Sequence, residues 1–245
     1  MKQTKIIMAM PITLQINHHE DLLLFQTFKK VFNYFTKIDY KFSPYKISSQ
    51  ISRLNQCPNN FKLSKQLTEI LRICHDYQIK TAGYFQINYN GLIDPSGLVK
   101  SYAINEAYSM IKEHYDDFYL EVGGDIVVSK PINSSQPWTI GIRNPFEFNQ
   151  IVKIVALHNG AVATSGSYIK KNHIYNPFNG QIITNPISLT VVGQSIIETD
   201  VMATAAFAMG PAGINWLENL NGLEAYMIEA DKQATMTSYF EEYVQ

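Results

Sequence analysis

The chain has 245 residues and a mass of 27.9 kDa, enough to bury roughly 70–75% of the surface that its unfolded form exposes. Hydrophobic residues make up 46% of it and charged residues 17%, which argues against disorder, collagen, a coiled coil or a membrane bundle. The formal net charge of −1 leaves no whole-surface field to hold nucleic acid or an anionic membrane. Composition therefore predicts a globular protein without nucleic-acid or membrane partners.

The first residues and the cysteines bear on the cellular compartment. Residues 1–16 are broken at Pro11 and alternate with Thr and Gln, so they lack the apolar run of a signal peptide and are predicted to form a first strand. The two cysteines, Cys57 and Cys74, have no CxxC spacing. We therefore expect a reducing, cytoplasmic location.

Helical periodicity dominates the next part of the chain. Apolar residues at spacings of three and four predict an amphipathic helix over residues 19–38. A polar, Ser-rich loop over 42–55 follows, then a helix capped by Ser64. Residues 83–97 are predicted to be strand and loop, and 98–113 a further helix.

Beyond this helix the apolar period changes to two, which is typical of strands. Gly123-Gly124-Asp125 is predicted to join two strands, and Asn159-Gly160 to form a hairpin turn. The predicted strands are 118–122, 126–128, 138–142, 151–157, 187–192 and 223–228, and the predicted helices are 199–209 and 214–220. The mixed order favours an α+β fold with largely antiparallel sheets flanked by helices. Because no repeat or linker is evident, residues 1–245 are expected to form one domain.

One predicted helix carries two oxygen-bearing side chains on the same face. Asp200 and Thr204 are four residues apart, and Asp200 falls in the first predicted turn, where the helix dipole favours negative charge. A carboxylate and a hydroxyl can hold a hard cation such as Mg²⁺, which keeps several waters and a substrate phosphate. The alternative is that Asp200 caps the helix and Thr204 packs.

A loop that leads into another helix combines Asp94, Gly97 and Lys100. Helix N-termini attract phosphate through their free amides and dipole, and Lys100 would add a point charge. The segment also fits a simple turn and cap with Lys100 in solvent.

Hydroxyl groups and a histidine follow the strand after Gly160. Thr164, Ser165 and Gly166 offer a surface for a ribityl chain or for phosphate oxygens, although ordinary loops have the same composition. His173 could accept a proton near neutral pH, or could be a structural hydrogen-bonding residue. The other histidines have no metal-ligand spacing, so no zinc site is predicted.

Taken in order, these segments resemble the motifs of the ApbE-type FAD:protein FMN transferases. The motifs are SxYxxxSxISRLN from residue 43, DxxGxxKxY from 94, GGDI from 123, ATSGxY from 163, HIxxPxxG from 173 and TDVMAT from 199. The resemblance spans nearly the whole chain and implies an ApbE-like, T-fold-like architecture.

The resemblance also implies an activity and a partner. FAD would be cleaved at its pyrophosphate with the help of Mg²⁺, its FMN portion would pass to a Thr or Ser hydroxyl of an acceptor flavoprotein, and AMP would leave. The resemblance implies that the acceptor carries a short Asp-Gly-x-Ser/Thr-Gly-Ala-Thr type motif.

Residue roles carried over from the resemblance fall into three groups. Asp200, Thr204 and the backbone oxygen of Gly97 match the metal ligands. His173 is the candidate proton acceptor, and Asp200 acts through the metal. The FAD contacts are matched by Met8, Tyr45, Asp94, Lys100, Gly123, Gly124, Asp125, Thr164, Ser165, Gly166, His173 and Ile174.

Three residues depart from the family pattern. Ser101 stands where glycine is usual, while Gln86 and Asn176 replace aspartates, and the stretch between Phe85 and Asp94 is short. Two other functions remain open: a Mg²⁺-dependent FAD pyrophosphatase that gives FMN and AMP, and a non-catalytic FAD-binding module.

Overall fold

The computed structural model describes residues 1–89, 91–131, 134, 136–167 and 174–245. Its described strands are β1 (Lys2–Ile7), β2 (Met10–Ile16), β3 (Asn88–Tyr89), β4 (Leu92–Ile93), β5 (Phe118–Val122), β6 (Asp125–Ser129), β7 (Trp138–Arg143), β8 (Ile151–Leu157), β9 (Gly160–Gly166), β10 (Ser188–Gly193), β11 (Leu223–Ile228) and β12 (Ala234–Met236). The described α-helices are α1 (Leu22–Phe42), α2 (Gln50–Gln56), α3 (Lys65–Lys80), α4 (Ser96–Lys112), α5 (Ile196–Ala208) and α6 (Gly213–Glu218). Short 3₁₀ turns lie at Gly210–Ala212 and Phe240–Tyr243.

Eight strands form one antiparallel sheet in the order β1-β2-β5-β6-β9-β10-β11-β12. Two small sheets, β3-β4 and β7-β8, complete the fold. The predicted α+β class with antiparallel sheets is therefore confirmed. The first and last described strands, β1 and β12, belong to the same sheet.

Helices cover one face of the large sheet and the β7-β8 ribbon covers part of the other. Strand β6 contacts both the helices and the ribbon, because successive side chains of a strand point to opposite faces of the sheet. Val127 packs into the core beneath α1, α4 and α5, whereas Ile126 and Val128 pack against the ribbon residues Ile140 and Val155. Every residue of β6 is buried, so the centre of the sheet lies between two apolar layers.

The helix layer follows from the apolar spacing of the sequence. Leu24, Phe28, Val31 and Phe35 form the buried stripe of α1, which packs against α4. Asp21 precedes the helix as its N-cap residue, and its side chain accepts a hydrogen bond from the amide of Leu24. In turn α4 packs against α5, and α5 lies on β9 and β10. This packing brings the first turns of α4 towards the middle of α5.

Two sequence-based expectations about turns were wrong. The predicted first strand is a hairpin, β1-β2, whose turn residues Met8 and Ala9 both have a φ of 57°. Asn159-Gly160 does not close a hairpin, because β8 pairs with β7 whereas β9 pairs with β6 and β10. A Cβ atom on Gly160 would lie 2.8 Å from the carbonyl oxygen of Gly193, so a close approach of backbones requires this glycine.

Among the described residues, no helix has the length and apolarity required to cross a membrane.

Candidate active site

The predicted carboxylate and hydroxyl lie on one face of α5, towards the end of β9. Ser195 caps this helix, so Asp200 is not its capping residue. Asp200 is 5% exposed, and the half-buried Thr204 has its hydroxyl oxygen 3.3 Å from that of Ser165. A buried carboxylate requires compensation by a charge or by polar contacts.

Lys100 supplies a charge beside this carboxylate. Its ammonium nitrogen forms an ion pair with Asp125 Oδ2 and lies 3.6 Å from Asp200 Oδ1. The side chains of Asp125 and Asp200 are 2% and 6% exposed, and that of Lys100 is 23% exposed. The solvated lysine of the simple turn-and-cap reading is thus wrong. Packing of α4 on α5, together with the start of β6, brings these three charges together.

Burial and mutual charge shift the protonation equilibria of this group. Desolvation, followed by the charge of Asp200, raises the pKa of Asp125 to about 7, although Lys100 and the backbone amide of Thr164 oppose the shift. Burial alone would lower the pKa of Lys100, but the two carboxylates outweigh it and raise the pKa above its ordinary value. The lysine is therefore held as a cation, and the site has a net negative charge when both carboxylates are ionised.

Two carboxylate oxygens of the site form no hydrogen bond among the described residues: Asp125 Oδ2, which is ion-paired with Lys100, and Asp200 Oδ2. Asp200 Oδ2 is buried and forms no hydrogen bond there. A buried unpaired anionic oxygen is costly, so it marks a position where a cation would be stabilised. Thr204 lies one turn further along α5, and Gly97, whose carbonyl is the third predicted ligand, lies in the first turn of α4. This all-oxygen set fits the ligand preference of Mg²⁺.

The GGDI motif forms the turn that places Asp125. Gly123 and Gly124 have φ values of 59° and 99° and connect β5 to β6 as a two-residue hairpin. The amide of Gly123 donates to the carbonyl of Pro11 at 3.0 Å. A Cβ atom on Gly123 would lie 2.6 Å from the sulfur of Met10, two residues after Met8 in the β1-β2 hairpin. The β1-β2 turn with Met8 and the β5-β6 turn with Gly123, both predicted FAD contacts, therefore lie at the same end of neighbouring strands.

The start of α4 is held by Asn55, the last residue of the SxYxxxSxISRLN motif, a role that the sequence did not predict. The Asn55 side chain donates to the carbonyl of Ile93 at 2.8 Å and accepts from its amide at 2.9 Å. Asp94 follows directly, and its Oδ1 accepts from the amide of Ser96 at 2.9 Å. Asp94 therefore does form the turn that the sequence allowed. The pairing of Asn55 with a strand could be inferred only from a contact across 38 residues.

The hydroxyls at the end of β9 are divided between the two faces of the sheet. Thr164 forms a 2.8 Å hydrogen bond with Thr190 on the neighbouring strand, whereas Ser165 faces α5 and reaches Thr204. Gly166 ends the strand and is half-buried. Of Thr164 and Ser165, it is therefore Ser165 that brings its side-chain oxygen to the Asp200–Thr204 face.

The remaining predicted contacts are less closely tied to the buried charges. Tyr45 is 93% exposed in the loop before α2. Ile174 pairs through its carbonyl with the amide of Ile183 at 3.0 Å in a tight hairpin and is half-buried. His173 and Tyr168 lie outside the described residues.

Two of the residues that depart from the family pattern have local structural roles. Ser101 is fully buried, and its hydroxyl donates to the carbonyl of Leu98 at 3.2 Å. Asn176 Oδ1 accepts from the amide of Phe178 at 2.9 Å and so fixes the turn after Ile174. Gln86 is half-buried near Gly83. None of these local contacts involves Lys100, Asp125 or Asp200.

Other polar clusters lie elsewhere. His18, His19 and Asp21 bring potential ligand atoms within 4.8 Å of one another, a proximity that spacing did not predict. Asp21 caps α1 and lies 3.6 Å from His19, so helix capping and ion pairing account for this exposed cluster. A cavity of about 420 Å³ beside the ribbon is lined by Tyr119, Glu121 and Arg143, and contains none of the proposed site residues.

Comparison with known proteins supports the assignment suggested by the motifs. The ApbE family profile matches residues 8–94 and 88–227. The FAD:protein FMN transferase of Klebsiella pneumoniae (strain 342) is 27% identical over 156 residues, 59% of this chain and 45% of that protein. The Buchnera aphidicola (subsp. Baizongia pistaciae) protein of the same name is 30% identical over 134 residues, 51% of this chain and 39% of its own length. The matched region thus spans less than half of these relatives.

Solved structures show the same fold over the whole chain. The ApbE protein of Thermotoga maritima superposes with a TM-score of 0.86 at 18% identity, covering 100% of this chain and 99% of that one. The flavin transferase ApbE of Vibrio cholerae gives a TM-score of 0.82 at 19% identity, covering 99% and 98%. With a family profile that covers most of the sequence and a fold shared from end to end, the chain belongs to the ApbE family.

Proposed function

We propose that this chain is an FAD:protein FMN transferase. It would transfer the FMN portion of FAD to a Thr or Ser hydroxyl of an acceptor protein and release AMP. The observation that carries this proposal is the buried, unpartnered oxygen of Asp200 beside Thr204 and Lys100. Family membership and the names of the curated relatives support the same activity.

The oxygen donors of α5 and α4 would hold Mg²⁺ against the diphosphate. We assign Asp200, Thr204 and the carbonyl of Gly97 as its protein ligands. When bound, the ion neutralises charge on the non-bridging phosphate oxygens and orients the diphosphate for in-line displacement. Three protein ligands leave room for water and phosphate, as Mg²⁺ sites usually do.

Lys100 would provide a second positive charge that is fixed before FAD binds. Its ion pair with Asp125 restricts the long side chain, so less conformational freedom is lost when a phosphate arrives. The net negative charge of the metal-free site also opposes FAD binding without a divalent cation, which makes cation binding and FAD binding mutually dependent.

The transfer itself requires one bond to form and one to break. The acceptor oxygen bonds to the FMN phosphorus, the bond from that phosphorus to the bridging oxygen breaks, and AMP departs with the bridging oxygen. The hydroxyl proton must be taken up during this step, and we propose His173 as its acceptor because the ordinary pKa of histidine lies near neutrality.

The rest of FAD would extend along the end of the sheet that is formed by the β1-β2 turn, the β5-β6 turn and the last residues of β9. Met8, Gly123, Gly124 and the backbone of Thr164 are assigned to this surface, and the exposed ring of Tyr45 is free to cover a flat aromatic group. Asp94, Ser165, Gly166 and Ile174 complete the proposed contacts. The acceptor would carry the Asp-Gly-x-Ser/Thr-Gly-Ala-Thr type motif of the family.

Incubation of the pure protein with FAD and Mg²⁺, with and without an acceptor bearing this motif, tests the proposal. We expect the acceptor to gain the mass of an FMN group while AMP appears in equal amount. Asp200→Ala should abolish both products, whereas Glu198→Gln, two residues away on the same helix, should retain them. Release of free FMN with an unmodified acceptor would instead identify a pyrophosphatase, and intact FAD would identify a binding module.

A further inference from the structure

Lys100 has two carboxylates within reach but contacts them unequally. It forms a close ion pair with Asp125 Oδ2, whereas Asp200 Oδ1 is 3.6 Å away. Asp200 is the residue assigned above to the metal. The lysine therefore lies beside the metal ligand without saturating it.

The position of Asp125 is fixed independently of a bound cation. It is the first residue of β6, directly after the Gly123-Gly124 turn, and is 1% exposed. The backbone amide of Thr164 on β9 also interacts favourably with the ionised carboxyl. Asp125 thus provides a rigid anionic contact for the end of a flexible lysine side chain.

We infer that Asp125 is a positioning residue that holds Lys100 away from Asp200, so that the divalent cation does not have to displace an ammonium group. This inference rests on the proposed function. Without the Asp125 charge, Asp200 would be the remaining carboxylate near the lysine, and a buried ion pair between them would be strongly favoured. Lys100 would then compete with Mg²⁺ for Asp200.

A simpler possibility is that Asp125 attracts the cation only through its own charge. The two explanations differ in how Asp125 and Lys100 act together. If Asp125 acts only by direct attraction, its removal weakens metal binding equally with or without Lys100. If it acts by restraining the lysine, its removal matters only while the lysine is present. A double-mutant cycle separates these cases.

The cycle uses wild type, Asp125→Asn, Lys100→Met and the double variant, with Mn²⁺ affinity measured by calorimetry without FAD at about pH 8. Asparagine keeps the shape of Asp125 and an acceptor for the Thr164 amide. We expect Asp125→Asn to weaken Mn²⁺ binding at least tenfold. In the Lys100→Met background, the same change should alter affinity less than threefold. Circular dichroism and thermal unfolding establish that each variant is folded.

Two results would overturn the inference: an Asp125→Asn protein with wild-type Mn²⁺ affinity, or equal losses in both backgrounds. Asp200→Ala is measured in parallel to separate this inference from the proposed function. If Mn²⁺ binds wild type and Asp200→Ala equally well, the assigned metal site is wrong. If Asp200→Ala alone loses binding, the metal site stands and the role of Asp125 fails.

Discussion

The hydroxyl oxygens of Ser165 and Thr204 lie 3.3 Å apart. This contact joins the end of β9 to the face of α5 that carries the proposed metal ligands. Thr204 has one hydroxyl with which to bind both a cation and this serine. Since a hydroxyl has two acceptor lone pairs and one proton, it can donate to Ser165 while an oxygen lone pair faces the metal. The contact therefore orients a proposed ligand.

This contact predicts a graded loss of metal affinity. Thr204→Val removes the proposed ligand at nearly constant volume and should weaken Mn²⁺ binding more than tenfold. Ser165→Ala removes only the orienting hydrogen bond, worth about 0.5–1.5 kcal/mol, so a loss of roughly two- to tenfold is expected. Calorimetric titration with Mn²⁺ measures both. An equal loss in the two variants would contradict the distinction between a ligand and its orienting residue.

The protonation of Asp125 predicts a pH-dependent stability for the metal-free protein. Its pKa is raised from 3.8 to about 7 in the folded state. Between these values the folded protein keeps a proton that the unfolded chain has released. The free energy of unfolding should therefore fall as pH rises through this range.

Asp125→Asn removes this titration and should flatten the pH dependence. Urea unfolding in the presence of EDTA, at a series of pH values across the same range, measures the slope for both proteins. Identical slopes would show that Asp125 has an ordinary pKa in the folded protein.

The β5-β6 turn predicts a stability difference between adjacent glycines. Both have positive φ, so alanine at either position is strained by about 1–2 kcal/mol. At Gly123 the new Cβ atom would also meet the Met10 sulfur at 2.6 Å, whereas nothing lies within 4 Å at Gly124. Gly123→Ala should therefore lower the free energy of unfolding more than Gly124→Ala does.

Urea denaturation compares these variants, and Met10→Ala serves as a second-site change. Because the smaller side chain relieves the contact, the additional cost of Gly123→Ala should shrink in the Met10→Ala background. An unchanged difference would mean that Met10 does not limit the space at this turn.

The paired hydrogen bonds of Asn55 predict a loss of both stability and FAD affinity. Asn55→Ala leaves the amide and carbonyl of Ile93 without these partners, which should cost about 1–3 kcal/mol. Because Asp94 follows Ile93, we also expect weaker FAD binding, measured by flavin fluorescence in the presence of Mg²⁺. Gln56→Ala, at the adjacent position of the same helix, is the control and should leave both properties near those of wild type.

Local signals in the sequence predicted much of the fold. The apolar stripe of α1 and the capping serine of α3 each predicted the helix to which they belong, because such patterns depend only on residues within a few turns. The Gly123-Gly124 turn was predicted for the same reason. By contrast, the partners of β8 and β9 depend on long-range pairing, and the Asn159-Gly160 signal describes a sharp bend without saying which strand follows.

The candidate site shows the same limit. The spacing of Asp200 and Thr204 predicted a shared helix face, because four residues complete about one turn. The ion pair of Lys100 with Asp125 crosses from α4 to β6 and follows from no local pattern. Asp125 entered the prediction only through the GGDI resemblance, while Asn55 had no assigned role until its contact with Ile93 was seen.

A crystal structure of the protein with FAD and Mn²⁺ tests the central claim most directly, because manganese can be located by its anomalous scattering. The account predicts one peak bonded to Asp200 and Thr204, with a diphosphate oxygen among its remaining ligands and Lys100 still paired with Asp125. A diphosphate bound elsewhere, or a peak that touches neither α5 side chain, would contradict it.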